Sequence, residues 1–88
     1  MTQAHKTIER ELKKYPNNEC KEWKSVCDKV FTTYRWKDEY AVLRLYYTEH
    51  KTRIAVCMEA CICENTFTNW RRSILENAEK WAIVVGLL

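Results

Sequence analysis

The sequence has one glycine and one proline among its 88 residues and no long apolar run. Phosphate-binding loops and dinucleotide-binding motifs need several glycines, and both are excluded because Gly86 is the only glycine in the chain. Asn-Gly and Asp-Gly turns, which mark tight hairpins, are also missing. The longest uncharged stretch, residues 81–88, is far shorter than the roughly 20 residues that cross a bilayer. We therefore expect no membrane partner.

The beginning of the chain lacks the charged, apolar and small-residue series of a signal peptide, so we expect a cytoplasmic protein. Its five cysteines are an odd number, which favours free thiols over a disulfide framework. Cys57, Cys61 and Cys63 with His50 come nearest to a metal site, but no C-x2-C pair exists. We expect no metal and no cofactor. The two histidines have no catalytic spacing, and so small a chain leaves little room for an enclosed active site, so we expect no enzyme.

Apolar residues recur at intervals of three and four along nearly the whole chain, which predicts an all-α fold. We expect a small bundle of about five helices, with a C-terminal helix-turn-helix and a long last helix. The first three helices are predicted over residues 2–14, 19–34 and 37–49. Asn18 is predicted to start the second. In the first helix, Ile8, Leu12 and Tyr15 are predicted to face inward, and the solvated outer face is predicted to carry Glu9, Arg10, Glu11, Lys13 and Lys14. Residues 1–88 form one domain in this prediction, in which residues 1–47 support a helix-turn-helix at residues 48–82.

The segment from Thr48 onward predicts a short helix over residues 52–58, capped by Thr52 or Thr48, and a helix of about twenty residues that ends near Gly86. The connection, residues 59–62, is about two residues longer than is common and lacks a turn glycine. An extra half-turn on the short helix, or a looser turn, would accommodate this. A small core is predicted from Ile54, Met58, Ile62, Phe67 and Trp70.

With Phe67 and Trp70 inward, the last helix presents a polar outward face. Asn65 or Asn69 can pair with adenine, Arg72 with guanine, and Glu64 can accept a hydrogen bond from cytosine. Lys51 and Arg53 are placed to touch phosphate. The alternative is an ordinary solvated helix surface. The predicted DNA-binding residues are Lys51, Arg53, Glu64, Asn65, Thr68, Asn69, Arg71 and Arg72.

The net charge of +3 permits nucleic-acid binding but is weak evidence for it. Residues 1–35 hold eight basic and five acidic residues, whereas residues 36–88 hold seven of each. The basic excess therefore lies in the N-terminal helices. Lys21, Lys24 and Lys29 lie off the apolar face of the second helix, where they either meet phosphate or are simply solvated.

Residues 53–58 (RIAVCM) and 62–75 (ICENTFTNWRRSIL) resemble the sigma-factor region-4-type helix-turn-helix of small phage transcriptional regulators, the ArpU/RinA-like group. Residues 7–16 (TIERELKKYP) and 82–88 (AIVVGLL) are similar to the two ends of such proteins. The resemblance implies activation of phage late genes by DNA binding in the cytoplasm of a bacterial host. It also implies that Glu64, Asn65, Thr68, Asn69 and Arg72 read bases. Cys63 stands where the family has a helix-capping serine.

Two other functions remain open. A helical adaptor would grip a protein such as RNA polymerase, and a DNA-packaging subunit would use duplex DNA in a similar way. The apolar tail supports a partner surface or a homodimer if it is exposed, although packing against the first helix is an equal alternative. This tail comprises Ile83, Val84, Val85, Leu87 and Leu88.

Overall fold

The computed structural model describes all 88 residues and confirms an all-α fold with a long last helix. In chain order the helices are α1 (Gln3–Lys14), α2 (Lys21–Tyr34), α3 (Tyr40–Val42, continuing as a π-helix over Leu43–Thr48), α4 (Arg53–Ala60) and α5 (Glu64–Val84). None of them is both long enough and apolar enough to span a membrane.

The helix ends follow local side-chain chemistry. Thr2 starts α1, where its hydroxyl accepts a hydrogen bond from the His5 amide. Gly86 follows α5 with a φ of +82°, the left-handed conformation that suits glycine after a helix. The prediction that Asn18 starts α2 is wrong, because α2 begins at Lys21 and Asn18 instead donates to the Glu11 carbonyl at 2.8 Å.

The core is one cluster of 17 buried residues drawn from all five helices, with α5 packed against both α1 and α2. The side chains that α5 buries recur at three- and four-residue intervals, which is why so long a helix can present one continuous apolar face. They are Phe67, Ile74, Leu75, Ala78 and Ala82.

The third helix differs most from its predicted form. It begins at Tyr40 rather than Lys37 and widens into a π-helix, in which the Glu49 amide donates to the Arg44 carbonyl at 3.0 Å. Tyr47 is fully buried and Tyr46 half-buried. Tyr46 meets Phe67 edge-on at a centroid distance of 5.2 Å, so α3 braces the first half of α5.

Two predicted faces are wrong. Glu9 and Glu11 are buried rather than solvated. Ile54 and Met58 are 63% and 76% exposed, and Val56 is the core residue of α4. Positions two apart on an α-helix lie about 200° apart, so a helix that buries Val56 turns both Ile54 and Met58 outward.

Candidate nucleic-acid interface

A short helix, a three-residue turn and a long helix form the candidate site. The Thr52 hydroxyl caps α4 by accepting a hydrogen bond from the Ala55 amide at 3.2 Å. Of the two predicted caps, Thr52 and Thr48, the structure therefore has Thr52. Because α4 continues to Ala60, the turn shortens to Cys61, Ile62 and Cys63. The long predicted connection is therefore accommodated by an extension of the first helix.

Cys61 takes the conformation that a turn glycine would otherwise supply. Its φ of 57° and ψ of 47° are left-handed, and the next amide, that of Ile62, donates to the Cys57 carbonyl at 3.0 Å. This pattern ends a helix and reverses the chain. The turn is therefore tight although it lacks glycine, because Cys61 takes the left-handed conformation.

Arg71 points inward and joins α5 to α1. Its guanidinium donates to both carboxylate oxygens of Glu9, at 2.6 and 2.7 Å, and the Tyr47 hydroxyl donates to the same carboxylate at 2.6 Å. Burial acts to raise the pKa of Glu9, but the hydrogen bonds from Arg71 and Tyr47 outweigh it and hold that pKa below its ordinary value. Arg71, predicted to contact DNA, is therefore half-buried and already paired with a carboxylate within the chain.

The other predicted base-reading residues share an exposed face of α5. Asn65, Thr68, Asn69 and Arg72 are all exposed, and none makes a hydrogen bond or ion pair within the chain. Their spacing of three, one and three residues places them along two turns of one helical face. Glu64 is exposed beside them, and its carboxylate lies 3.7 Å from Arg53 Nε. We call Asn65, Thr68, Asn69 and Arg72 the reading face.

The two predicted phosphate contacts already have partners within the chain. Lys51 Nζ lies 2.5 Å from Glu59 Oε2 and 3.6 Å from Glu49 Oε1, and the hydrogen bond to Glu59 raises the Lys51 pKa. Arg53 pairs with Glu64. Residues 48–82 hold five basic and five acidic residues, so the segment has no net charge. If the segment contacts phosphate, the balancing cations must come from elsewhere in the chain.

The start of α1 borders the reading face, because Met1 and His5 line one surface cleft with Thr68 and Arg72. Lys13 lies at the other end of α1, with its Nζ 5.3 Å from the Tyr46 ring centroid, and Tyr46 contacts Phe67 on the opposite, buried side of α5. By contrast, Lys29 of α2 lies over Trp81, 5.5 Å from that ring. Trp81 is about 18 Å further along α5 than Asn69 at 1.5 Å per residue. The start of α1 therefore borders the reading face, and α2 approaches it only at its end, where the Tyr34 hydroxyl donates to the Ser73 carbonyl at 3.0 Å.

Three cysteines surround the turn, two of them exposed. Cys61 and Cys63 are exposed and Cys57 is half-buried. Cys63 precedes α5, where its sulfur makes no capping bond to the backbone but lies 3.2 Å from the Thr66 hydroxyl, whose hydrogen bond lowers the thiol pKa. No group of three or more His, Cys, Asp or Glu side chains is placed to hold a metal ion.

Comparisons with protein-family models, with curated proteins and with solved structures gave no match to this chain. The resemblance to the ArpU/RinA-like group accordingly stays a prediction from residues 53–75 and the two ends of the chain.

Proposed function

We propose that this protein binds duplex DNA by placing the first two turns of α5 in the major groove. The observation that carries the proposal is the reading face itself, four exposed polar side chains without partners in the chain. Asparagine can bond adenine through two atoms, and arginine can do so with guanine. A side chain that is already hydrogen-bonded within the fold would have to break that bond before it could contact a base. The four side chains of the reading face have no such bond to break.

Phosphate contacts in this proposal come mainly from α1. Lys6, Arg10 and Lys13 are exposed at spacings of four and three, which makes them a basic stripe along one side of that helix. The start of α1, where Lys6 lies, borders Thr68 and Arg72 of the reading face. A stripe of this kind can follow one DNA strand while the reading face enters the groove. Arg71 is left out because it holds Glu9.

A transcriptional regulator of a phage or prophage is the biological role that the resemblance favours, with RNA polymerase as a further partner in a bacterial cytoplasm. The proposal involves no catalysis and no cofactor. A DNA-packaging subunit would use the same reading face. The two roles differ in sequence preference, so selection of binding sites from a pool of random duplexes separates a regulator, which enriches one site, from a packaging protein.

The test compares two variants of α5, one at an arginine and one at a lysine. Arg72→Ala removes a reading-face residue and should weaken binding to the selected duplex by about 1–3 kcal/mol, with relaxed preference at one base pair. Lys80→Ala removes an equal charge from an exposed site about 12 Å further along the same helix. It should change affinity far less. Fluorescence anisotropy measures both. A correctly folded chain with no duplex affinity at low salt contradicts the proposal.

A protein-binding adaptor is the second candidate, because two apolar areas are exposed. Ile54 and Met58 lie on the outer side of α4, and Val84, which is 73% exposed, lies near the chain end with Leu88. Leu87 packs against the core and does not belong to this surface. If the chain is an adaptor or homodimer, Val84→Lys with Leu88→Lys should abolish a partner contact or lower the mass in solution, measured by ultracentrifugation, with DNA binding unchanged.

A further inference from the structure

The turn between α4 and α5 carries two thiols separated by one residue, Cys61 and Cys63, both exposed. Each occupies a position that defines the turn. Cys61 is the left-handed residue that ends α4, and Cys63 is the extended residue from which α5 starts. The half-buried Ile62 lies between them, and its amide bonds back to α4. A bond between the two sulfurs would therefore act on both helix ends at once.

Two peptide units hold the Cα atoms of Cys61 and Cys63 at most about 7 Å apart, near the upper end of the range of about 4.4–6.8 Å that disulfides span. In the reduced turn the two sulfurs point apart, because Cys61 Sγ lies 3.9 Å from the Met58 carbonyl oxygen and Cys63 Sγ lies 3.2 Å from the Thr66 hydroxyl. The Cβ atoms must approach to about 3.5–4.5 Å, which requires a local adjustment of the backbone. That adjustment falls on the left-handed Cys61 and on the extended Cys63.

We propose that Cys61 and Cys63 form a reversible thiol–disulfide pair that changes the junction of α4 and α5 when a low-molecular-weight disulfide is present. Closure removes the contact of Cys63 with Thr66 in the first turn of α5. It therefore loosens the start of the helix that carries the reading face. The consequence for DNA binding rests on the proposed function, whereas closure itself does not.

The chemistry balances with a glutathione-type disulfide as oxidant. The Cys63 thiolate attacks one sulfur of the small disulfide, a mixed disulfide forms, and the first small thiolate leaves. Cys61 then attacks Cys63 Sγ, the protein disulfide forms, and the second small thiolate leaves. The two protons from the cysteines pass to the leaving thiolates. Two protein thiols are oxidised and one small disulfide is reduced. Cys63 is the better first nucleophile because its thiol pKa is lowered and it is exposed.

The closing experiment needs no DNA. The reduced full chain is incubated with oxidised glutathione, and its intact mass and disulfide-linked peptides are determined. The expected product has lost two hydrogens, contains a Cys61–Cys63 bond and returns to the starting mass with dithiothreitol. Cys57→Ser should close equally well, whereas Cys61→Ser should stop at a mixed disulfide on Cys63. Closure that requires Cys57, or a wild-type chain that stops at the mixed disulfide, would overturn the pair.

Two further measurements test the effect on α5. Amide hydrogen exchange at residues 67–70, the first amides that bond within α5, should become several-fold faster in the closed form, because the start of the helix loses the contact between Cys63 and Thr66. Duplex affinity should fall by a similar factor and recover on reduction. Unchanged exchange after closure contradicts the switch. If exchange changes while even the reduced chain has no duplex affinity, the switch stands and the proposed function fails.

Discussion

Cys61 holds a backbone conformation that side chains with a Cβ atom generally avoid. A left-handed residue other than glycine costs roughly 1–2 kcal/mol, because its Cβ atom crowds the carbonyl oxygen. The surrounding turn maintains this conformation through the hydrogen bond from Ile62 to Cys57. His50, just before α4, has a similar φ of 56°. Both bends that frame α4 thus store backbone strain in a chain that has almost no glycine.

Cys61→Gly should therefore stabilise the protein. Relief of the left-handed strain exceeds the extra entropy of glycine in the unfolded chain, and the expected gain is about 0.5–1 kcal/mol. Urea unfolding measures it. Cys57→Gly provides the matched control, since the same residue types are exchanged inside α4, where the loss of helix propensity and of the half-buried side chain should destabilise the protein by roughly 0.5 kcal/mol or more. A Cys61→Gly variant less stable than wild type would show that the thiol contributes more than the backbone strain costs.

The contact between α1 and α5 depends on the buried carboxylate of Glu9, which the periodic pattern of apolar residues does not identify. Periodicity places Ile8 and Leu12 inward and correctly predicts both as core residues. Glu9 is one position from Ile8 and reads as surface because it is charged. Only the fold shows that Arg71 and Tyr47, both far away in sequence, supply its partners. A buried charge of this kind is invisible to any pattern that treats charge as exposure.

Glu9→Gln should destabilise the protein by about 2 kcal/mol near neutral pH, because Arg71 then loses its charged partner. The pKa of Glu9 is lower in the folded than in the unfolded chain. Its contribution is therefore fully present above the unfolded pKa of about 4.3 and is lost as pH falls through the lower folded value.

Urea unfolding from pH 7 to pH 3 should show the two stabilities converging at the acid end. Glu11→Gln is the control, because this buried side chain accepts a hydrogen bond from Asn18 Nδ2 at 3.1 Å, which a glutamine oxygen can still accept, and its cations, Arg10 and Lys14, lie 3.9 Å away. Its effect should be below about 1 kcal/mol. A Glu9→Gln variant as stable as wild type at pH 7 would mean that the ion pair only offsets its own burial.

Among the elements, period and capping residues predict α1, α2 and α5 within a few positions and α4 within two. The π-helix of α3 has no sequence signal of its own, because the three- and four-residue period of apolar side chains does not distinguish it from an α-helix. The face of α4 is predicted wrongly because Ile54, Val56 and Met58 are all apolar. With eight residues, α4 has too few turns for the period to decide between them.

At the scale of the whole molecule, the charge distribution is the property on which the proposed DNA binding depends most directly. The helix-turn-helix segment is neutral, and the net +3 resides in residues 1–35. The sequence places this excess in the N-terminal helices but cannot tell α1 from α2. In the fold, the start of α1 shares a surface cleft with Thr68 and Arg72, whereas Lys29 of α2 lies over Trp81 at the other half of α5.

Two double variants should therefore separate the contributions of α1 and α2 to DNA binding. Arg10→Ala with Lys13→Ala removes two exposed cations from the α1 stripe, and Lys21→Ala with Lys24→Ala removes two from α2. Each phosphate contact adds about 0.9 to the slope of log affinity against log salt concentration. The α1 pair should lower that slope by about 2 without changing base preference, and the α2 pair should leave it nearly unchanged. Anisotropy titrations across salt concentrations measure both slopes.

Equal decreases in slope for the two pairs would assign the effect to overall charge. A decrease confined to the α2 pair would place the duplex along the other half of α5.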